Sequence, residues 1–315
     1  RGSYRTTSTL TIPYYVNLLG ETTEGSIIVA QFNSDTFTEE LASGVSVLYF
    51  TRIEELTVLK CNTDGTSNTT GKIFNFHKYM SFCSFRRLRL YGGEYSVFME
   101  NVGYSLWNTF EQLNCYYATT CAIYIGQGSN ATRFNDCSFN VSATGVAIAG
   151  TSYNIIFVGC AFEGNTLSAI SLENVNVYLS GCYLEQYGSQ TLFNITGTGT
   201  VDVVGSFVNP APTGYLGTLN NSVNAIRYSN CTLYNVPTTY WDGVYGQQLI
   251  QFSDNNAIGT TPAKLQGYNL SGTFTPILYG TSSAGTGTYT SQIGLYSRVG
   301  NLITYDHSMV TVWNS

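Results

Sequence analysis

Apolar side chains in this chain recur two residues apart in short runs, and the runs are broken at regular intervals by a bend-prone residue. Before the bend stand Ile155 and Phe157, Val177 and Leu179, Val201 and Val203; after it come Cys160 and Phe162, or Cys182 and Leu184. Period two on both sides predicts strands rather than helices. The bend carries one phrase, a turn residue followed by cysteine and then a large apolar residue. It is written Asn114-Cys115-Tyr116-Tyr117, Asp136-Cys137-Ser138-Phe139, Gly159-Cys160-Ala161-Phe162, Gly181-Cys182-Tyr183-Leu184, Gly205-Ser206-Phe207-Val208 and Asn230-Cys231-Thr232-Leu233. Cys83-Ser84-Phe85 reads as an earlier copy, and the spacings are 32, 22, 23, 22, 24 and 25 residues. A repeat of that length predicts a stacked-coil solenoid.

A third short strand precedes each pair: Ile123–Ile125, Val146–Ile148, Ile170–Leu172 and Phe193–Ile195. Three strands and three turns per coil predict a single-stranded parallel β-helix, with interior side chains stacked about 4.8 Å apart. Leucine-rich repeats share the period, but their Leu-x-x-Leu-x-Leu pattern is missing. The bend residues Asn, Asp and Gly are those that enter the left-handed backbone region most cheaply. The cysteines then read as small apolar residues of one interior column. In-register neighbours point the same way, a poor geometry for disulfides. No Cys-x-x-Cys pair exists and the histidines number two, His77 and His307, so neither a metal nor another cofactor is expected. Eight unpaired cysteines point to assembly in a reducing cytoplasm.

Charged residues make up 10% of the chain, against about a quarter in ordinary soluble domains. Gly, Tyr, Thr, Ser and Asn carry the surface instead, which suits long contacts with neutral polymers or with other copies of the chain. A net charge of −6 argues against nucleic acid and anionic membrane partners. No apolar run of 18 residues predicts membrane insertion. The opening Arg1-Gly2-Ser3 reads as the start of an excised or tagged piece.

Residues 1–60 read as early coils or an N-terminal β segment, 61–236 as the β-helix, and 237–271 as a connector. The long interval between Cys83 and Cys115 places a projecting loop near Val102–Trp107. From residue 272 the texture changes to Gly272-Thr273-Phe274-Thr275-Pro276-Ile277-Leu278, then Gly287-Thr288-Tyr289 and Gln292-Ile293-Gly294-Leu295-Tyr296-Ser297-Arg298-Val299-Gly300-Asn301. This order resembles the C-terminal β-module of tailed-bacteriophage tailspike and tail-fibre proteins, so 272–315 is expected to be a small antiparallel β-module, truncated at its end. The coils are similar to the tailspike right-handed β-helix. The resemblance implies a parallel homotrimer in the virion tail, assembled in the host cytoplasm and acting at the host cell surface. It further implies a bacterial surface polysaccharide, capsule or O-antigen, as substrate, and attachment to other tail proteins through an N-terminal part that this sequence lacks.

Glycosidic cleavage by the common route needs two carboxyl groups about 5–5.5 Å apart for retention, or about 6.5–9.5 Å for inversion. Three residues after the repeat cysteine, or its serine, stand Arg86, Ala118, Asn140, Glu163, Glu185, Asn209 and Tyr234, expected to face outward. Glu163 and Glu185 fall there on consecutive coils and are the first catalytic candidates. Two acids that close favour the division into proton donor and carboxylate that cleavage requires; a turn position in plain solvent is the alternative. Glu100 and Glu173 share another repeated spot and form a second candidate pair, expected to meet only across a subunit interface. Arg86 would seat an acidic sugar or serve a structural ion pair. Trp107, Tyr116, Tyr183 and Tyr187 would offer flat faces to sugar rings, or pack as strand tyrosines do. A lyase, with His77, Lys78 and the Arg86 group as its basic residues, and a glycan-binding fibre without cleavage are the competing functions.

Overall fold

The computed structural model describes residues 2–13, 15–39, 47–100, 105–126, 128–186, 191–210, 213–219, 225–236, 241–242, 250–259, 270–274, 288–299 and 302–312. These residues are all-β and contain no helix. They form a parallel β-helix of about nine coils, consistent with the right-handed form. One coil shows the pattern: strand Thr144–Ile148, a corner, strand Ser152–Val158, a bend at Gly159, strand Ala161–Glu163, and a turn back. The first side is a ten-stranded parallel sheet running from Leu10–Ile12 to Trp241–Asp242. On the third side parallel pairing reaches Asn256–Ile258. The ladder thus extends past both ends of the 61–236 span read from the repeat. The strands Leu270–Phe274, Thr288–Val299 and Leu302–Val312 pair antiparallel with one another.

Interior positions repeat once per coil, so like side chains stack into columns. Phe85, Phe110, Phe134 and Phe157 are register partners, with ring centroids 4.8, 4.7 and 4.5 Å apart. A second column runs through Leu90, Cys115, Phe139, Phe162, Leu184, Val208 and Leu233. All of these are buried. Each continues the period-two alternation of its strand, which turns one side chain in and the next out.

The bend between second and third sides uses the left-handed region on nine successive coils, at Glu55, Arg87, Gln112, Asp136, Gly159, Gly181, Gly205, Asn230 and Asp254. The column behind it is therefore Leu56, Leu88, Leu113, Cys137, Cys160, Cys182, Ser206, Cys231 and Asn255, at spacings of 32, 25, 24, 23, 22, 24, 25 and 24 residues. Two expected members belong elsewhere. Cys115 pairs in register with Phe139, three positions beyond the bend residue, because the coil turns at Gln112 rather than at the more turn-prone Asn114. Cys83 follows a left-handed residue too, Phe82, but at the corner between first and second sides. The long interval consequently lies between Leu56 and Leu88. It is filled by a turn around Cys61–Ser67, closed by Asn62 and Thr66; of the loop expected near Val102–Trp107, residues 102–104 lie outside the described residues.

The cysteines are free, seven of them buried, and Cys61 is partly exposed. Their role exceeds that of small apolar filler. At the bend the thiols of Cys137, Cys160, Cys182 and Cys231 donate to the carbonyls of Asn135, Val158, Ser180 and Ser229, two residues upstream. Ser206 makes the same contact to Val204, at 3.1 Å. Each of these carbonyls already accepts from the bend N–H of the preceding coil, so the thiol or hydroxyl supplies a second donor to its other lone pair. Burial pushes the Cys115 and Cys121 thiols up to about 12 and Cys83 up to about 11.

Two outcomes are expected. Alkylation of the native protein at pH 8 labels Cys61, while the seven buried thiols react only in denaturant, because the thiolate is the reactive form; peptide mass mapping reads this directly. Phe134→Ala, which empties the middle of an aromatic stack, costs about 3–5 kcal/mol in denaturant unfolding. The exposed Val141→Ala costs less than about 0.5 kcal/mol.

Candidate functional site

The outward face of the third side holds the first candidates. The position immediately after the interior column of Leu90, Cys115 and Phe162 carries, coil by coil, Tyr91, Tyr116, Asn140, Glu163, Glu185 and Asn209 as register partners. Glu163 and Glu185 are thus direct neighbours on adjacent strands, with backbones about 4.8 Å apart. Both side chains are half-buried. Where Ala118 and Arg86 were expected in this column the structure has Tyr116 and Tyr91, the consequence of the bends at Gln112 and Arg87.

The two carboxyl groups differ in surroundings. Glu185 accepts from the Tyr183 hydroxyl at 2.5 Å through Oε2 and from the Asn209 amide at 2.7 Å through Oε1. The Glu163 carboxylate makes no hydrogen bond or ion pair among the described residues. One carboxylate is therefore anchored on both oxygens, and the carboxylate of its neighbour is free to engage a ligand.

Aromatic rings flank the pair along the rod. Tyr183 stacks on Phe207 at 5.0 Å, and Tyr234 lies 6.1 Å from Phe207 on the next coil. On the other side of the acids Tyr116 stacks on Tyr91 at 5.0 Å, with Tyr117 tilted against it. The column adjoining the acids holds Arg89 at one end and then Asn114, Ser138, Ala161, Tyr183, Phe207 and Thr232, so its members nearest the glutamates are uncharged. Phe207, Asn209 and Tyr234 join the site through the same repeat that identified the glutamates; their spacing was the available signal.

The remaining candidates are dispersed. Arg86 precedes the bend, on the second side, where it pairs with Glu111 at 3.3 Å and neighbours Glu54 in register. Of the three clustered arginines it is Arg89 that shares the third side, in the Asn114 column, and it reaches Glu24 at 3.5 Å. Trp107 is exposed at the first corner, in a left-handed column with Phe50 and Phe82, remote from the glutamates in the coil. Tyr187 lies outside the described residues. His77 faces Glu39 at 3.6 Å, and the Glu39 carboxylate accepts from the backbone N–H groups of His77 and Lys78. That arrangement ties one coil to the next and leaves the pair occupied with structure.

Glu100 and Glu173 occupy one position at the first corner, with Gly126 and Ala149 on the two coils between them. Both are exposed. They act on a common neighbour within one chain: burial, then the Glu173 carboxylate, and more weakly Glu100, raise the pKa of the Tyr124 hydroxyl. No cluster of three or more metal-ligating side chains occurs among the described residues.

The architecture is that of solved phage tailspikes. The tailspike protein of Acinetobacter phage vB_ApiP_P1 superposes with a TM-score of 0.53 at 13% identity, over 97% of this chain and 72% of that one. The tailspike of Acinetobacter phage vb_AbaP_AS12 gives 0.54 at 10% identity, over 100% and 76%. ORF18 of Geobacillus virus E2 gives 0.52 at 17% identity, over 100% and 68%. No protein-family model matches the chain, and no curated sequence matches it.

Proposed function

We propose that this chain is part of a phage tailspike that binds a bacterial surface polysaccharide and cleaves it by glycoside hydrolysis. The observation that carries the reading is the Glu163–Glu185 pair, in register on adjacent strands, with Glu185 anchored on both oxygens and Glu163 unencumbered. Glu185 acts as the carboxylate at the anomeric carbon, and Glu163 protonates the leaving oxygen and later deprotonates water. Backbones about 4.8 Å apart suit the closer carboxyl spacing, so the product retains its anomeric configuration. The flanking Tyr116 and Tyr183 offer faces or edges to neighbouring sugar units. The likeness to tailspikes supports a place in the virion tail and action at the host surface.

The same reading includes a parallel homotrimer. Phe50 and Phe82 stack at 5.3 Å with 63% and 44% of their surface exposed, and Trp107 continues the ridge at 57%. Stacked rings hide their faces from one another and present edges outward, a surface that a second protein covers better than a sugar does. Attachment to other tail proteins belongs to the same reading.

Glu163→Gln and Glu185→Gln are each expected to lower the release of reducing ends from host polysaccharide by about 100-fold or more, with thermal stability and binding to intact cells retained. Proton NMR of the first product should show retention at the anomeric carbon. Full activity in both variants moves the chemistry to Glu100, Tyr124 and Glu173. Products absorbing as unsaturated uronates would mean a lyase, and intact polysaccharide with the unmodified protein would mean a binding fibre. Sedimentation equilibrium checks the trimer; a stable monomer contradicts it.

A further inference from the structure

A second concave surface lies at the first corner, away from the Glu163–Glu185 face. There the strands Val175–Ser180 and Gly199–Val204 begin, and the cavity they form with the coil before them measures about 600 Å³. That is within the usual range for a small-ligand site. Its wall is made of threonine, serine, asparagine, glycine and one tyrosine, with neither an aliphatic nor a charged side chain. The nearest acid in sequence, Glu173, is exposed beside it.

Two features build the site. Between Ser152 and Ile155 the strand carries one residue more than its partner between Val175 and Val177. Such a bulge re-aims a side chain, and here Tyr153 stands out with 52% of its surface exposed. Beneath it two rungs repeat the same bonds. Asn174 Oδ1 accepts from the N–H and hydroxyl of Thr198, at 2.9 and 3.0 Å. Asn176 Oδ1 accepts from the N–H and hydroxyl of Thr200, at 3.1 and 2.8 Å. With each oxygen occupied, the orientation of each amide is fixed, and neither Nδ2 group has a partner among the described residues. The threonine hydroxyls spend their protons on the asparagines, so their lone pairs stay available. Gly199 keeps the floor low, since a Cβ there would stand 2.4 Å from the Val175 carbonyl oxygen.

We propose that this corner is a second saccharide-binding site, specific for neutral, hydroxyl-rich pyranose units. Fixed amide donors alternate with hydroxyl acceptors, the complement of sugar hydroxyls that both donate and accept, and Tyr153 supplies the ring. The absence of any cation from the wall, with Glu173 beside it, disfavours uronates and other anionic sugars. A protein partner would want an apolar centre, which the wall lacks. The site grips without cutting and stands independently of the hydrolytic reading.

Saturation-transfer NMR on the full chain tests it, with the methyl glycosides of glucose, galactose, mannose, rhamnose and N-acetylglucosamine as probes and methyl glucuronate as the anionic control. At least one neutral glycoside is expected to bind and the glucuronate is not. Tyr153→Ala should weaken that binding roughly tenfold, and Tyr153→Trp should keep it. Asn176→Asp retains the acceptor for Thr200 while removing the donor, so it should also weaken binding in a folded protein. Glu163→Gln and Glu185→Gln should leave it unchanged, which separates this site from the catalytic one. No neutral glycoside bound, equal binding of glucuronate, or binding insensitive to Tyr153→Ala and Asn176→Asp overturns the proposal. So does a Tyr153→Ala variant that changes subunit assembly, for that would make the corner a contact between copies.

Discussion

Everything in this rod depends on one repeated hydrogen bond, from the N–H of a left-handed bend residue to a carbonyl of the following coil. Gln112 donates to Asn135, Asp136 to Val158, Gly159 to Ser180, Gly181 to Val204, Gly205 to Ser229 and Asn230 to Ser253. The bond fixes the rotational position of every coil on the next, and a slip of one residue would turn each inward side chain outward. Aromatic stacking in the interior follows from that register. So does the juxtaposition of two glutamates, which are neighbours because their coils are, with no further design.

The repeat made most of this legible. Period-two runs around Gly159, Gly181 and Gly205 gave the strands, and equal offsets from the bend paired Glu163 with Glu185. What misled was local propensity. Asn114 is a better bend residue than Gln112, and Cys83 imitates the phrase at a different corner. The structure follows the stack instead, where Leu113 must sit between Leu88 and Cys137. A bulky or charged residue is forced into the left-handed region at Arg87 and Gln112, at a local cost of about 1–2 kcal/mol each. Neighbouring coils offset that cost, and a single sequence does not display such compensation.

The candidate sites show the same division. Adjacent coils could be paired on paper, hence the glutamates. The partners that distinguish them, the Tyr183 hydroxyl and the Asn209 amide, depend on side-chain rotamers that no spacing specifies. Arg86 illustrates the reverse error: it stood in the expected column only while Cys83 was its reference, and Glu111 claims it once the register is corrected. Tyr153 could not have been found, because a one-residue bulge leaves no mark in an Asn- and Ser-rich stretch.

The bend column has a consequence for how such a rod can change. Cysteine and serine there donate a proton back to their own turn, and asparagine to a carbonyl of the preceding coil; the leucines of the first three coils do without it. The coils are therefore interchangeable modules whose joints tolerate several chemistries. A whole coil of 22 to 25 residues can be gained or lost without disturbing its neighbours' packing, whereas a single residue inserted within one cannot. Variation by whole coils would lengthen or shorten the outer faces in steps of about 4.8 Å, so that the surface met by a long polymer is adjusted one rung at a time.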